Sequence, residues 1–173
     1  MKKYIALFFI FSVFTAFGQS SFQTQLTRLV EGYPANFEQL KGEKEVSKKD
    51  TSRVSWKCKF SIDSAAETYI AKIYPNDRLP ALLVRYENTE VKSVADAQYK
   101  AMVQKLKAFK VKGVSLVAAE GKDAYKTYTN FTFPAGKAPK GYQNMVIQVK
   151  FTDHAFSGDF HFYSIGIAIF RNG

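Results

Sequence analysis

Arg53-Val54-Ser55-Trp56-Lys57-Cys58-Lys59-Phe60-Ser61-Ile62 alternates without a break, with Val54, Trp56, Cys58, Phe60 and Ile62 on one side and Arg53, Ser55, Lys57, Lys59 and Ser61 on the other. Successive side chains of an extended chain point to opposite faces, so this pattern predicts a strand with one face in an apolar core and one in water. Its basic residues suit a position near a sheet edge, where lysine discourages pairing with other chains.

Working outward, Thr68 to Tyr74 and Leu82 to Glu87 read as two further strands. They are separated by the turn-forming Asp63-Ser64-Ala65-Ala66 and Pro75-Asn76-Asp77. Glu43 to Asp50 reads as a charged loop. Upstream, Phe22, Leu26, Leu29 and Val30 recur at helical spacing, which predicts a first helix from Ser21 to Glu31 that stops before Gly32 and Pro34.

Downstream, Val91, Val94, Ala95, Tyr99, Met102, Val103, Leu106 and Phe109 form the apolar stripe of a second helix. Ser93 with Asp96 reads as a capping box at its start, and Gly113 as its C-terminal cap. Four segments rich in β-branched and aromatic residues follow: Val114 to Ala119, Tyr125 to Phe133, Asn144 to Thr152 and Asp159 to Arg171. Pro134 to Gly141 is a loop between the second and third of them.

The last strand is apolar on both faces, which predicts a central place in the sheet. The resulting order, α-β-β-β-α-β-β-β-β, predicts an α+β fold: an antiparallel sheet of six to seven strands with two helices on one face. It is compatible with a duplicated α-β-β-β unit.

The first 18 residues read differently. Met1-Lys2-Lys3 is a positive start, Tyr4 to Phe14 an apolar run, and Ala16-Phe17-Gly18 a small-x-small cleavage site before Gln19. That order predicts a cleaved secretory signal peptide, residues 1–18, followed by a single α+β domain, residues 19–173. The apolar run is shorter than the roughly 20 residues of a membrane-spanning helix. No Cys stands at the cleavage point for acylation. The expected location is therefore periplasmic or secreted.

The formal net charge is +10 for the whole chain and +8 without the two lysines of the leader. Such a balance favours anionic partners, an envelope component or another protein, while the absence of a basic block argues against specific nucleic-acid binding. Lys100 and Lys107, seven residues apart, project from one side of the second helix with Lys92 and Lys110 flanking them. These four are the candidate anion-binding residues. Cys58, the single cysteine, sits on the apolar side of its strand and is expected to be a reduced, buried thiol.

Catalytic signatures are sparse. His154 and His161 are the two histidines, within Asp153-His154-Ala155-Phe156-Ser157-Gly158-Asp159-Phe160-His161. A hairpin there could gather Asp153, His154, Asp159 and His161, but the spacing matches no metal motif and the residue types suit a polar turn. No Gly-x-Ser-x-Gly elbow accompanies Ser157, and no Gly-rich loop precedes a helix, so neither a metal nor a nucleotide cofactor is expected.

The leading expectation is an exported, non-catalytic binding protein for an anionic or amphipathic ligand. The alternatives are a small extracytoplasmic hydrolase using His154 or His161 with Asp153 or Asp159, and an inhibitor docking through the Pro134 to Gly141 loop. Alternation places Tyr128 on the face opposite Tyr125, Phe131 and Phe133, so some of these aromatics are expected in the core and some exposed, and an exposed Tyr near Lys suits glycan or peptide contact.

Overall fold

A computed structural model describes residues 21–46, 53–73, 79–155 and 161–172. Residues 1–18 lie outside them, as do Asp159 and the charged segment after Val46. Helix α1 covers residues 21–31 and is followed by two single-turn 3-10 helices, Tyr33–Ala35 and Glu38–Leu40. The strands are β1 (Lys41–Val46), β2 (Arg53–Cys58), β3 (Ala65–Ile73) and β4 (Ala81–Tyr86). After α2 (Lys92–Lys107) come the short β5 (Lys110–Val111) and β6 (Val114–Ser115). The chain ends with β7 (Val117–Lys122), β8 (Lys126–Thr132), β9 (Met145–Ala155) and β10 (His161–Arg171).

Eight of the strands form one antiparallel sheet in the order β1-β2-β3-β4-β10-β9-β8-β7, and β5-β6 is a separate hairpin. The expected α+β architecture is present, with β10 inside the sheet between β4 and β9 as its two-sided apolarity requires. Each helix is followed by four strands of the large sheet, so the repeated element order is α-β-β-β-β rather than α-β-β-β.

Strand register explains the core. One row runs across seven strands as Trp56, Ile70, Leu82, Ile169, Ile147, Phe131 and Ala118. All seven belong to or pack against one apolar cluster with Leu26 and Leu29 of α1 and Leu106 of α2, so both helices cover the same sheet face. Fully burying each such aliphatic side chain is worth about 1.5–3 kcal/mol. Thr129, also buried on this face, has its hydroxyl 2.7 Å from that of Tyr99.

Several local expectations are corrected. Residues 43–46 are not loop but belong to the edge strand β1, bonded to β2. Its Lys41 sits 4.0 Å over the Trp56 ring and 2.6 Å from Glu38. β2 ends at Cys58, so Phe60 falls outside it and is 36% exposed, beneath the guanidinium of Arg28 at 4.0 Å. Cys58 is half-buried rather than buried, and burial raises its thiol above the ordinary range.

Helix α2 starts from Val91 with no side-chain cap. Val91 and Val94 are exposed, because close packing of the stripe begins only at Ala95. Gly113 is not its cap: with Lys112 it forms the two-residue turn of the β5-β6 hairpin, both at positive φ, as the type I′ turn demands. Val114 to Ala119 accordingly divides into β6 and β7. Among the described residues no helix is long and apolar enough to cross a membrane.

One buried hydroxyl lacks a hydrogen-bond partner among the described residues, that of Tyr86, and burial pushes its pKa well above the ordinary tyrosine range. An unpaired buried polar group destabilises by about 1–3 kcal/mol. Tyr86→Phe is therefore expected to raise stability by about 1 kcal/mol in urea unfolding. A comparable loss would show that the hydroxyl has found a partner.

Candidate functional site

The sheet face away from the helices carries the chemistry. Two registered rows cross it: Tyr69, Leu83, Ala168, Gln148, Asn130 and Ala119, then Glu67, Arg85, Gly166, Lys150, Tyr128 and Gly121. Beside them Ser164 pairs with Thr152, which pairs with Lys126. The small residues Ser164, Gly166 and Ala168 of β10 make a floor. Tyr69, Leu83 and Arg85 wall it on one side, and Lys126, Lys150, Thr152 and His154 on the other, enclosing about 240 Å³. A Cβ at 166 would stand 3.0 Å from the Val84 carbonyl oxygen, a tight contact that glycine avoids.

The rim is cationic. Arg85 is paired with Glu67 at 2.9 Å, whereas Lys126 and Lys150 have no carboxylate within 4 Å among the described residues. Partial burial, then repulsion from Lys126, holds the Lys150 ammonium below the ordinary lysine range, with Asp123 opposing. His154 has its Nε2 2.8 Å from Ser164 Oγ and its ring stacked on Phe162 at 4.3 Å. Burial, then Lys150, lowers its pKa, with Asp153 opposing.

His154 thus favours the neutral form in the folded state. The unfolded chain binds more protons between the lowered pKa and about 6.5, so stability rises with pH across that window and is lost as pH falls through it. Urea midpoints at pH 5 and pH 7.5 are expected to differ less in His154→Gln than in the parent. An unchanged slope would remove His154 from the pH response.

Strand alternation separates the groups considered for hydrolysis. Asp153 and His161 lie on the helix side, 2.8 Å apart, so that pairing is made. His154 projects to the opposite face, so the His154 pairing with Asp153 is not made, and its partner is Ser164, which the sequence reading passed over. No group of three or more His, Cys, Asp or Glu able to hold a metal occurs among the described residues. Ser157 and Asp159 lie outside them.

Lys92, Lys100, Lys107 and Lys110 are all exposed on α2 and β5. The ion pairs among the described residues do not include Asp96 with Lys100. The four lysines contribute nothing to the groove. What could have pointed to it was the Ser164, Gly166, Ala168 alternation in an otherwise bulky strand.

A second cavity, about 520 Å³, lies where the Pro134–Gly141 loop meets the end of the sheet, lined by Thr132, Phe133, Met145 and Val146 with the amides Gln143, Asn144 and Asn172. The loop is held by Lys137 N–H donating to the Pro134 carbonyl, Tyr142 N–H to that of Pro139, and Gly141 N–H to Gln143 Oε1. No protein-family model matches the chain, and neither a curated protein nor a solved structure matches it significantly.

Proposed function

We propose that this chain is exported by its first 18 residues and that the domain after them binds an anionic ligand, without turning it over, in the groove on the helix-free sheet face. The observation that carries this reading is the pair Lys126 and Lys150. Two cations face the same small-residue floor with no carboxylate in ion-pair range among the described residues. An anion seated there relieves their mutual repulsion, and the apolar floor accommodates an uncharged portion of the same ligand. The four lysines of the α2 side become the competing location.

The test is retention on polygalacturonate beads of protein recovered outside the cytoplasm, its intact mass expected to begin at Gln19. The parent is expected to elute at lower salt after Lys126→Glu with Lys150→Glu and unchanged after Lys100→Glu with Lys107→Glu, circular dichroism confirming the fold of each. Exposed charges are screened beyond about 8 Å at physiological ionic strength, so retention should fall steeply with salt. The reverse ranking would return the site to α2. Equal, salt-independent retention would leave the charge as a solubility device.

A further inference from the structure

Beside the groove, the same face of β8 and β9 carries a track of cross-strand pairs. From the cationic end, the cross-strand pairs on this face are Lys126 with Thr152, Tyr128 with Lys150, and Asn130 with Gln148. Thr132 and Val146, next along the same two strands, line the second cavity. At about 3.3 Å per residue, the six steps from Lys126 to Thr132 span about 20 Å. The Tyr128 ring lies across Gly121, where any Cβ would stand 2.4 Å from ring atoms, so the glycine lets the ring lean away from the Lys150 side of the track. Asn130 and Gln148 are joined by a 2.9 Å hydrogen bond from Gln148 Nε2 to Asn130 Oδ1, and both remain partly exposed. Beyond them the second cavity adds the exposed amides of Gln143 and Asn144.

The chemistry therefore changes along one line: cations, then an aromatic face, then uncharged groups that both donate and accept. We propose that the ligand is an acidic oligosaccharide lying along β8 and β9, its carboxylate at Lys126 and Lys150 and its neutral hydroxyls against the Asn130–Gln148 pair and the amide-lined cavity. The inference rests on the anion site proposed above. A saccharide suits the track better than a peptide. This is the face of a sheet, whose backbone groups are already paired with neighbouring strands, so a peptide finds no edge to extend. A sugar carries hydroxyls that match amides in both roles and an apolar ring face for tyrosine.

Titration calorimetry with galacturonate, tetragalacturonate and a tetraglutamate peptide separates the outcomes. Tetragalacturonate is expected to bind at least tenfold more tightly than the monomer. Asn130→Ala with Gln148→Ala, which removes both members of one hydrogen bond and leaves none unpaired, is expected to bring that ratio close to one. Monomer and tetramer binding equally would overturn the track and leave the anion site standing. Tetraglutamate binding as tightly as tetragalacturonate would overturn the saccharide class. No binding of any probe, together with no retention on the beads, would overturn the anion site itself.

Discussion

Phe131→Ala is expected to lower stability by about 3–5 kcal/mol, a large share of the roughly 5–15 kcal/mol that holds an ordinary domain folded. Phe131 has no solvent exposure and sits in β8 between Ala118 of β7 and Ile147 of β9, inside the cluster that also holds Leu26, Leu106 and Ile169. Its ring thus joins the second half of the sheet to both helices. Removing it forfeits the transfer free energy of the ring and leaves a cavity beside Ala118 and Ile147 that a close-packed core collapses only partly to fill. Thr132→Ala, one residue on and facing the other way, is expected to change stability by less than about 1 kcal/mol. Urea denaturation of the two variants makes the comparison. A loss below about 1 kcal/mol for Phe131→Ala would mean that the helix-side row does not pack as a continuous core.

Ala168→Trp is expected to weaken anion binding by about 30-fold, equivalent to about 2 kcal/mol, while the fold is retained. Ala168 stands on the groove floor between Leu83 and Gln148, and an indole there fills much of the 240 Å³ beside Lys150. Because the lysines stay in place, the variant separates the shape of the groove from charge. Lys126→Glu with Lys150→Glu removes attraction, and Ala168→Trp removes room. Calorimetry with tetragalacturonate is the readout, with circular dichroism as control. Full affinity in Ala168→Trp would show that the ligand does not enter the groove, whatever the effect of reversing the lysines.

The elements that read correctly from sequence are those whose pattern reports burial directly. Leu26 and Leu29 on α1 and Met102, Val103 and Leu106 on α2 were legible as stripes because a helix with one covered face must repeat every 3.6 residues, and all five are buried. β10 was legible as an interior strand because an edge does not supply cover for Phe162, Ile165, Ile167 and Phe170 together. β1 was not legible. Lys41-Gly42-Glu43-Lys44-Glu45-Val46 offers no apolar alternation, and it is a strand because β2 presents unpaired backbone groups to it. Gly113 was misassigned because a helix cap and a type I′ turn both call for positive φ, and a glycine satisfies either equally.

The candidate site divides along the same line. Alternation alone sends Tyr128 and Phe131 to opposite faces, and Asp153 and His154 likewise, because the period of a strand is two whatever its neighbours do. Composition alone made the chain basic. Which basic residues face one another was beyond both. Lys126 and Lys150 meet because β8 and β9 pair in one register. Gly166 lies beside Lys150, and Arg85 beside Gly166, because β9, β10 and β4 pair in others. Each register is set by how the whole helix-side row packs, and a slip of one residue would turn every one of these side chains to the other face. Local periodicity thus determined what is buried and what is not. The groove exists only because eight strands, some more than 80 residues apart in the chain, are held in register by a core on the opposite face.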